Sequence, residues 1–151
     1  ACGICPLRAP CRGRALGIAA GLPAKTPKAP KPTRFGIAHV VRRADGALLL
    51  ETRPESGLLG GMLGWPGSAW MEDAEPDPAA PLDADWRILG EEVRHTFTHF
   101  HLRLALRLAT VPQDAVAARG AWVPRHAFRP DALPTVMRKA WALARQALPP
   151  R

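Results

Sequence analysis

From Phe100 onward the chain alternates with a period of two. Phe100, Leu102, Leu104, Leu106 and Leu108 fall on one parity, and His101, Arg103, Ala105, Arg107 and Ala109 on the other. Successive side chains of a β-strand point to opposite faces, so this stretch brings its leucines together only as a strand. Two further apolar runs, residues 35–42 and 47–52, flank Ala44-Asp45-Gly46, a turn signal that predicts an antiparallel hairpin. Near the C-terminus Met137, Trp141, Ala144 and Leu148 recur at helical spacing after Pro134, which is tolerated in a first helical turn. Arg145 then stands where the helix dipole favours a cation. These elements predict an α+β domain over residues 34–148, with a mixed or antiparallel sheet and a C-terminal helix. No internal repeat is present.

Glycine and proline punctuate the rest. Gly57-Leu-Leu-Gly-Gly-Met-Leu-Gly-Trp-Pro-Gly67 holds too many glycines for a regular helix yet is strongly apolar, so a buried or ligand-facing loop is expected. Residues 72–85 are acidic and proline-rich and are expected to form an exposed loop. Residues 21–33 set Pro23, Pro27, Pro30 and Pro32 among Lys25, Lys28 and Lys31. Proline fixes φ and removes a backbone donor, which predicts an extended, semi-rigid connector. Its lysines either touch phosphates or keep a spacer solvated.

At 151 residues the chain suits one domain and a tail. Twenty-one Lys and Arg against 13 Asp and Glu give a net charge of +8, which favours polyanionic partners without requiring nucleic acid. No apolar run is long enough to span a bilayer and the opening residues do not read as a signal peptide, so a soluble, cytoplasmic protein is expected. All three cysteines, Cys2, Cys5 and Cys11, lie in the first eleven residues. Their odd count and short spacings fit a metal or cluster better than disulfides, with unligated thiols as the bland alternative. An all-cysteine zinc site or a cysteine-ligated iron–sulfur cluster takes four thiolates. Three imply the C-terminal piece of a longer protein, cut inside its metal-binding loop.

Cys2-x2-Cys5-x5-Cys11, with Pro6 directly after Cys5, resembles the last three ligands of the C-x6-C-x2-C-x5-C cluster loop of the helix–hairpin–helix DNA glycosylases. Followed by the Lys/Pro connector, the 57–67 run and Val93-Arg-His-Thr-Phe-Thr-His-Phe-His-Leu102, it is similar to the C-terminal part of the adenine DNA glycosylase (MutY) family. The resemblance covers nearly the whole chain and is weakest over residues 68–92. It implies a base-excision repair enzyme that removes adenine mispaired with 8-oxoguanine. In that family a catalytic domain flips the adenine out and cleaves it with carboxylates, and a Nudix-like C-terminal domain recognises the oxidised guanine.

Carried onto this chain, residues 1–20 are the end of the glycosylase domain and of its [4Fe-4S] loop. Cys2, Cys5 and Cys11 are then metal ligands, and the family's first cysteine would stand seven positions before Cys2. A cluster held by three thiolates is labile, which leaves room for its absence from the chain as it stands. The cluster either shapes a basic loop with Arg8, Arg12 and Arg14 near DNA phosphates or is purely structural. Residues 21–33 are the interdomain connector and 34–148 the recognition domain. No catalytic residue is assigned, because the family's catalytic carboxylates belong to the N-terminal domain. The implied partner is double-stranded DNA carrying 8-oxoguanine:adenine mispairs, bound by a monomer at the bacterial nucleoid. The family's Phe-Ser-His loop falls on Phe97-Thr98-His99, where Thr98 keeps a hydroxyl that donates and accepts.

That tripeptide also carries a physical argument. An aromatic beside a hydroxyl and an imidazole offers a wedging or stacking surface next to base-reading groups. The bland alternative is that Phe97 is core and Thr98 and His99 are ordinary strand residues. If a strand ran through them, His95, Phe97, His99 and His101 would share a face, but without an acidic or cysteine neighbour zinc is not expected there. Pyrophosphate hydrolysis in the Nudix fold relies on a helix bearing R-E-x-x-E-E. The chain has no such motif, Glu91-Glu92 is isolated, and Pro76, Pro78 and Pro81 oppose a helix. The expectation is a fold reused for recognition, with a Nudix-type nucleotide hydrolase or a general basic DNA- or protein-binding module as alternatives.

Overall fold

A computed structural model describes every residue except 1, 25, 26, 74, 75, 77, 79, 150 and 151. Lys25 of the connector and part of the acidic loop therefore lie outside the described residues. The chain divides into two compact units, Ala1–Pro30 and Lys31–Arg151. The first holds a 3-10 turn at Cys2–Ile4, one helical turn α1 at Arg12–Ala15 and a second 3-10 turn at Ala19–Gly21. None of these three elements buries a residue, and Ile4, Leu7, Leu16, Ile18 and Leu22 stand exposed. Residues 27–32 of the connector have no regular structure and are exposed.

The second unit is a mixed sheet of β1 Thr33–Arg43, β2 Leu48–Thr52, β3 Leu63–Gly64, β4 Arg87–Thr96, β5 His101–Val111 and β6 Ala121–Val123, followed by helix α2 Thr135–Ala147. The strand order is β3-β2-β1-β5-β4, with β6 also paired to β2. The expected β1–β2 hairpin forms because Gly46 supplies a φ of 85° and Asp45 ties the turn, accepting from the Ala47 N–H at 3.1 Å and from Arg43. β1 then runs parallel to β5 in unbroken register from Thr33↔His101 to Arg43↔Val111, while β4 pairs antiparallel with β5.

This central position explains the nearly continuous apolar run of β1. Residues 36–41 are all buried, as expected for a strand covered on both faces. On one face Leu102, Leu104, Leu106 and Leu108 pack with Val40, Leu48 and Leu50 against Val136, Met137, Ala140 and Ala144 of α2. Each such leucine contributes roughly 1.5–3 kcal/mol by area, so this face dominates the hydrophobic stabilisation. On the other face Val41, Leu49, Ala109 and Val111 are covered by Leu82, Trp86 and Trp122.

Two expectations change here, and one element is new. The acidic segment is not uniformly exposed: Leu82 is buried because it plugs the second face. The glycine-rich loop is exposed at Leu58 and Met62 and buried only from Gly64 to Pro66, where it meets the core. β4 was not legible as a strand, since it is an edge strand with a register shift between Ile88 and Glu92 and buries only Val93. No helix among the described residues is long and apolar enough to cross a membrane.

Candidate nucleic-acid interface

β4 and β5 are joined by Phe97-Thr98-His99-Phe100. The Phe97 N–H donates to the Phe100 carbonyl at 2.9 Å and closes a tight turn with Thr98 and His99 at its tip. No single strand runs through residues 95–101, since β4 ends at Thr96 and β5 begins at His101, so the four residues expected to share one strand face do not. His95 pairs with Leu102 and His101 with Thr96, which puts those two rings on opposite faces of the hairpin. Thr96 Oγ1 and His101 Nδ1 are 2.9 Å apart. Among the described residues no three His, Cys, Asp or Glu side chains converge where a metal ion could sit. Cys2 and Cys5 are exposed, Cys11 is half-buried, and all three thiols are free.

Thr98 and His99 are exposed, whereas Phe97 is half-buried against the rim of the core. Its ring lies 4.9 Å from Phe100 and 5.8 Å from Trp70, with the His95 ring edge-on at 4.6 Å. Arg34 sits over Phe100 at 4.5 Å and Arg53 over Trp70 at 4.7 Å, contacts worth about 0.5–2 kcal/mol each depending on exposure. The Lys31 ammonium donates to the Phe97 carbonyl at 3.0 Å. The tip thus stands on an aromatic pedestal clamped by cations. Phe97 joins the two readings offered for it, being part core and part support of an exposed tip.

The pedestal depends on Gly36 of β1. A Cβ there would overlap the indole edge of Trp70. Gly36→Ala is therefore expected to push Trp70 off Phe97 and to cost about 1–3 kcal/mol through overpacking. Urea denaturation and tryptophan fluorescence read the two effects, and a variant unchanged in both would refute the pedestal. Neither Trp70 nor Gly36 was singled out from the sequence, because no local pattern links residues from β1 and the loop after β3.

Beside the tip, at the base of the hairpin, lies a cleft of about 610 Å³ lined by Arg94, His95, Thr96, His101, Arg103 and Lys139 among others. Burial, reinforced by the Lys139 charge, holds the His95 imidazole below its ordinary pKa. Glu92 between Arg103 and Arg94 is held below the usual carboxylate range by their hydrogen bonds, that from Arg103 first.

On the second face, His39 of β1 is fully buried with its ring edge-on to Trp86 at 4.7 Å. Neither ring nitrogen has a hydrogen-bond partner among the described residues. Arg119 pairs with Glu51 at 3.0 Å and donates to the Gly67 carbonyl at 2.9 Å, which fixes the end of the glycine-rich loop to β2.

A mixed sheet with α2 on one face, loops on the other and an exposed hairpin tip defines an α+β domain of the Nudix type. A sequence profile of the NUDIX domain matches residues 37–143, and the chain belongs to that family. Among solved structures it is similar to the C-terminal domain of mouse MUTYH in its complex with human PCNA, at 25% identity and a TM-score of 0.61, over 76% of this chain and 88% of that one. The MutT protein from Methanosarcina mazei Go1 shares the fold at 16% identity and a TM-score of 0.58, over 80% of this chain and 99% of that one. So does the NUDIX domain of Shewanella oneidensis NrtR complexed with ADP ribose, at 17% identity and 0.55, over 87% and 98%.

Proposed function

We propose that this chain supplies lesion recognition to an adenine DNA glycosylase, reading 8-oxoguanine opposite adenine through Phe97-Thr98-His99. The observation that carries the reading is the hairpin tip, where an exposed hydroxyl and imidazole project from a stiff aromatic support. Groups that read a base edge need this combination of reach and fixed position. The likeness to the C-terminal domain of mouse MUTYH supports the same reading. Phe97 then acts chiefly by holding Thr98 and His99 in place.

In this reading residues 34–148 recognise the lesion and residues 21–33 connect them to the glycosylase domain that carries the catalytic carboxylates. Cys2, Cys5 and Cys11 belong to a [4Fe-4S] loop completed by a fourth thiolate in the longer protein, which acts as a monomer at the bacterial nucleoid. Recognition is favoured over nucleotide hydrolysis by a specific observation. The described residues between β3 and β4 form no helix, so the acidic helix on which the fold's hydrolases rely is not built from them.

Thr98→Ala in the full-length enzyme is expected to weaken discrimination of 8-oxoguanine from guanine by about 1–2 kcal/mol, the scale of one hydrogen bond. Single-turnover adenine excision from the two mispairs measures it, and unchanged selectivity refutes the assignment. Release of pyrophosphate from 8-oxo-dGTP with Mg²⁺ would favour the hydrolase instead.

A further inference from the structure

We infer that the cleft at the base of the β4–β5 hairpin binds the phosphodiester backbone of duplex DNA beside the tip. The inference rests on the lesion-recognition reading for its ligand. Arg94 and Arg103 are directly opposite one another in the β4–β5 register, an arrangement in which like charges destabilise a sheet. Among the described residues one carboxylate answers them: Glu92 Oε1 accepts from Arg94 Nε at 2.9 Å and from Arg103 Nε at 2.7 Å. Their terminal Nη groups have no hydrogen-bond partner among the described residues, and the side chains are 77% and 47% exposed.

Lys139 of α2 adds a third cation to the lining from the helix side of the edge strand, anchored by a 3.0 Å hydrogen bond to the Arg94 carbonyl. Among the described residues three cations against one carboxylate leave a surplus of positive charge at an open cleft whose other polar walls, Thr33, Thr96, His95 and His101, carry hydroxyls and imidazoles. Guanidinium forks and an ammonium are the groups that bind phosphate, the first bidentately and the second as a point charge. Arg94 precedes Thr98 by four residues, through the end of β4 and into the turn, so the cleft lies within roughly 13 Å of the tip at about 3.4 Å per residue or less. Phosphates of one strand advance about 3.4 Å along the duplex axis per nucleotide, so a phosphate within a few nucleotides of a base read at the tip comes within reach of the cleft.

The test is equilibrium binding of the 151-residue chain to two duplexes of one sequence, one with 8-oxoguanine:adenine and one undamaged, across a salt series. For Arg94→Ala/Lys139→Ala, with folding confirmed by its thermal melt, affinity for both duplexes is expected to fall on the order of ten- to thirty-fold near physiological salt. The slope of log K against log salt should lessen by about 2, with the lesion preference unchanged. Unchanged affinity and slope overturn the inference, as does a loss confined to the lesion duplex or a parent chain that binds neither duplex at low salt. A parent chain without lesion preference whose salt slope still falls in the variant would sustain the phosphate site and refute the lesion reading. Arg94→Lys/Lys139→Arg keeps the charge and should retain most of the slope, and its failure to do so overturns the electrostatic basis.

Discussion

Trp65→Ala is expected to cost about 3–5 kcal/mol of stability, a large part of what holds a domain of this size folded. Trp65 is 1% exposed at the point where the glycine-rich loop enters the core. Its Nε1–H donates to the Met137 carbonyl of α2 at 3.0 Å, and its ring stacks on Trp141 at 5.7 Å and lies 6.0 Å from Phe128. Gly64 lets the chain come this close, since a Cβ there would stand 3.3 Å from Met137 Cε. Truncation removes the largest buried side chain and leaves a cavity between loop and helix that rigid neighbours fill only in part. Trp65→Phe keeps most of the aromatic packing but removes the donor to the Met137 carbonyl, and is expected to lose about 1–3 kcal/mol. Urea denaturation decides it: a Trp65→Ala variant within about 1 kcal/mol of the parent would show that the loop is not anchored through this residue.

The second large effect is acid sensitivity at His39. Burial lowers its pKa from 6.5 to about 4, and the charges of Arg107 and Arg119 add to the shift, while the nearby Pro66 carbonyl opposes it. The folded state thus binds fewer protons than the unfolded one between these two values. Stability is complete above about pH 6.5 and is lost as pH falls towards 4, by a total of about 3 kcal/mol for this group. The Asp45 carboxyl, held down to about 2 chiefly by its hydrogen bond from Arg43, gives up its contribution only at lower pH, so the two windows are distinct. Urea denaturation at pH 7 and 4.5 should show His39→Leu losing markedly less stability on acidification than the parent. Equal losses would mean that His39 does not titrate with folding.

Several features of the domain were legible from neighbours in the chain. The leucine parity of β5, the Asp45-Gly46 turn and the spacing of Met137, Trp141 and Ala144 each depend only on local geometry, and each element stands where it was expected. Leu148 is the exception within that set, ending the helix as its C-cap. β4 escaped because an edge strand with an irregular register needs no alternating pattern. His95 and His101 were misplaced because alternation assumes an unbroken strand, and the Phe97–Phe100 hydrogen bond breaks it.

By itself the amino-acid sequence determined the α+β class, the central strands, the terminal helix and the candidate tripeptide at 97–99, because periodicity and turn chemistry act between residues a few positions apart. The tertiary structure decided what those residues can do. Only the fold turns Thr98 and His99 into an exposed tip, sets Trp70 and Gly36 beneath Phe97, buries His39 under Trp86, and gathers Arg94, Arg103 and Lys139 around one cleft. Those arrangements depend on β1 lying parallel to β5 and on α2 packing against β4 and β5, contacts between distant segments that no local pattern encodes.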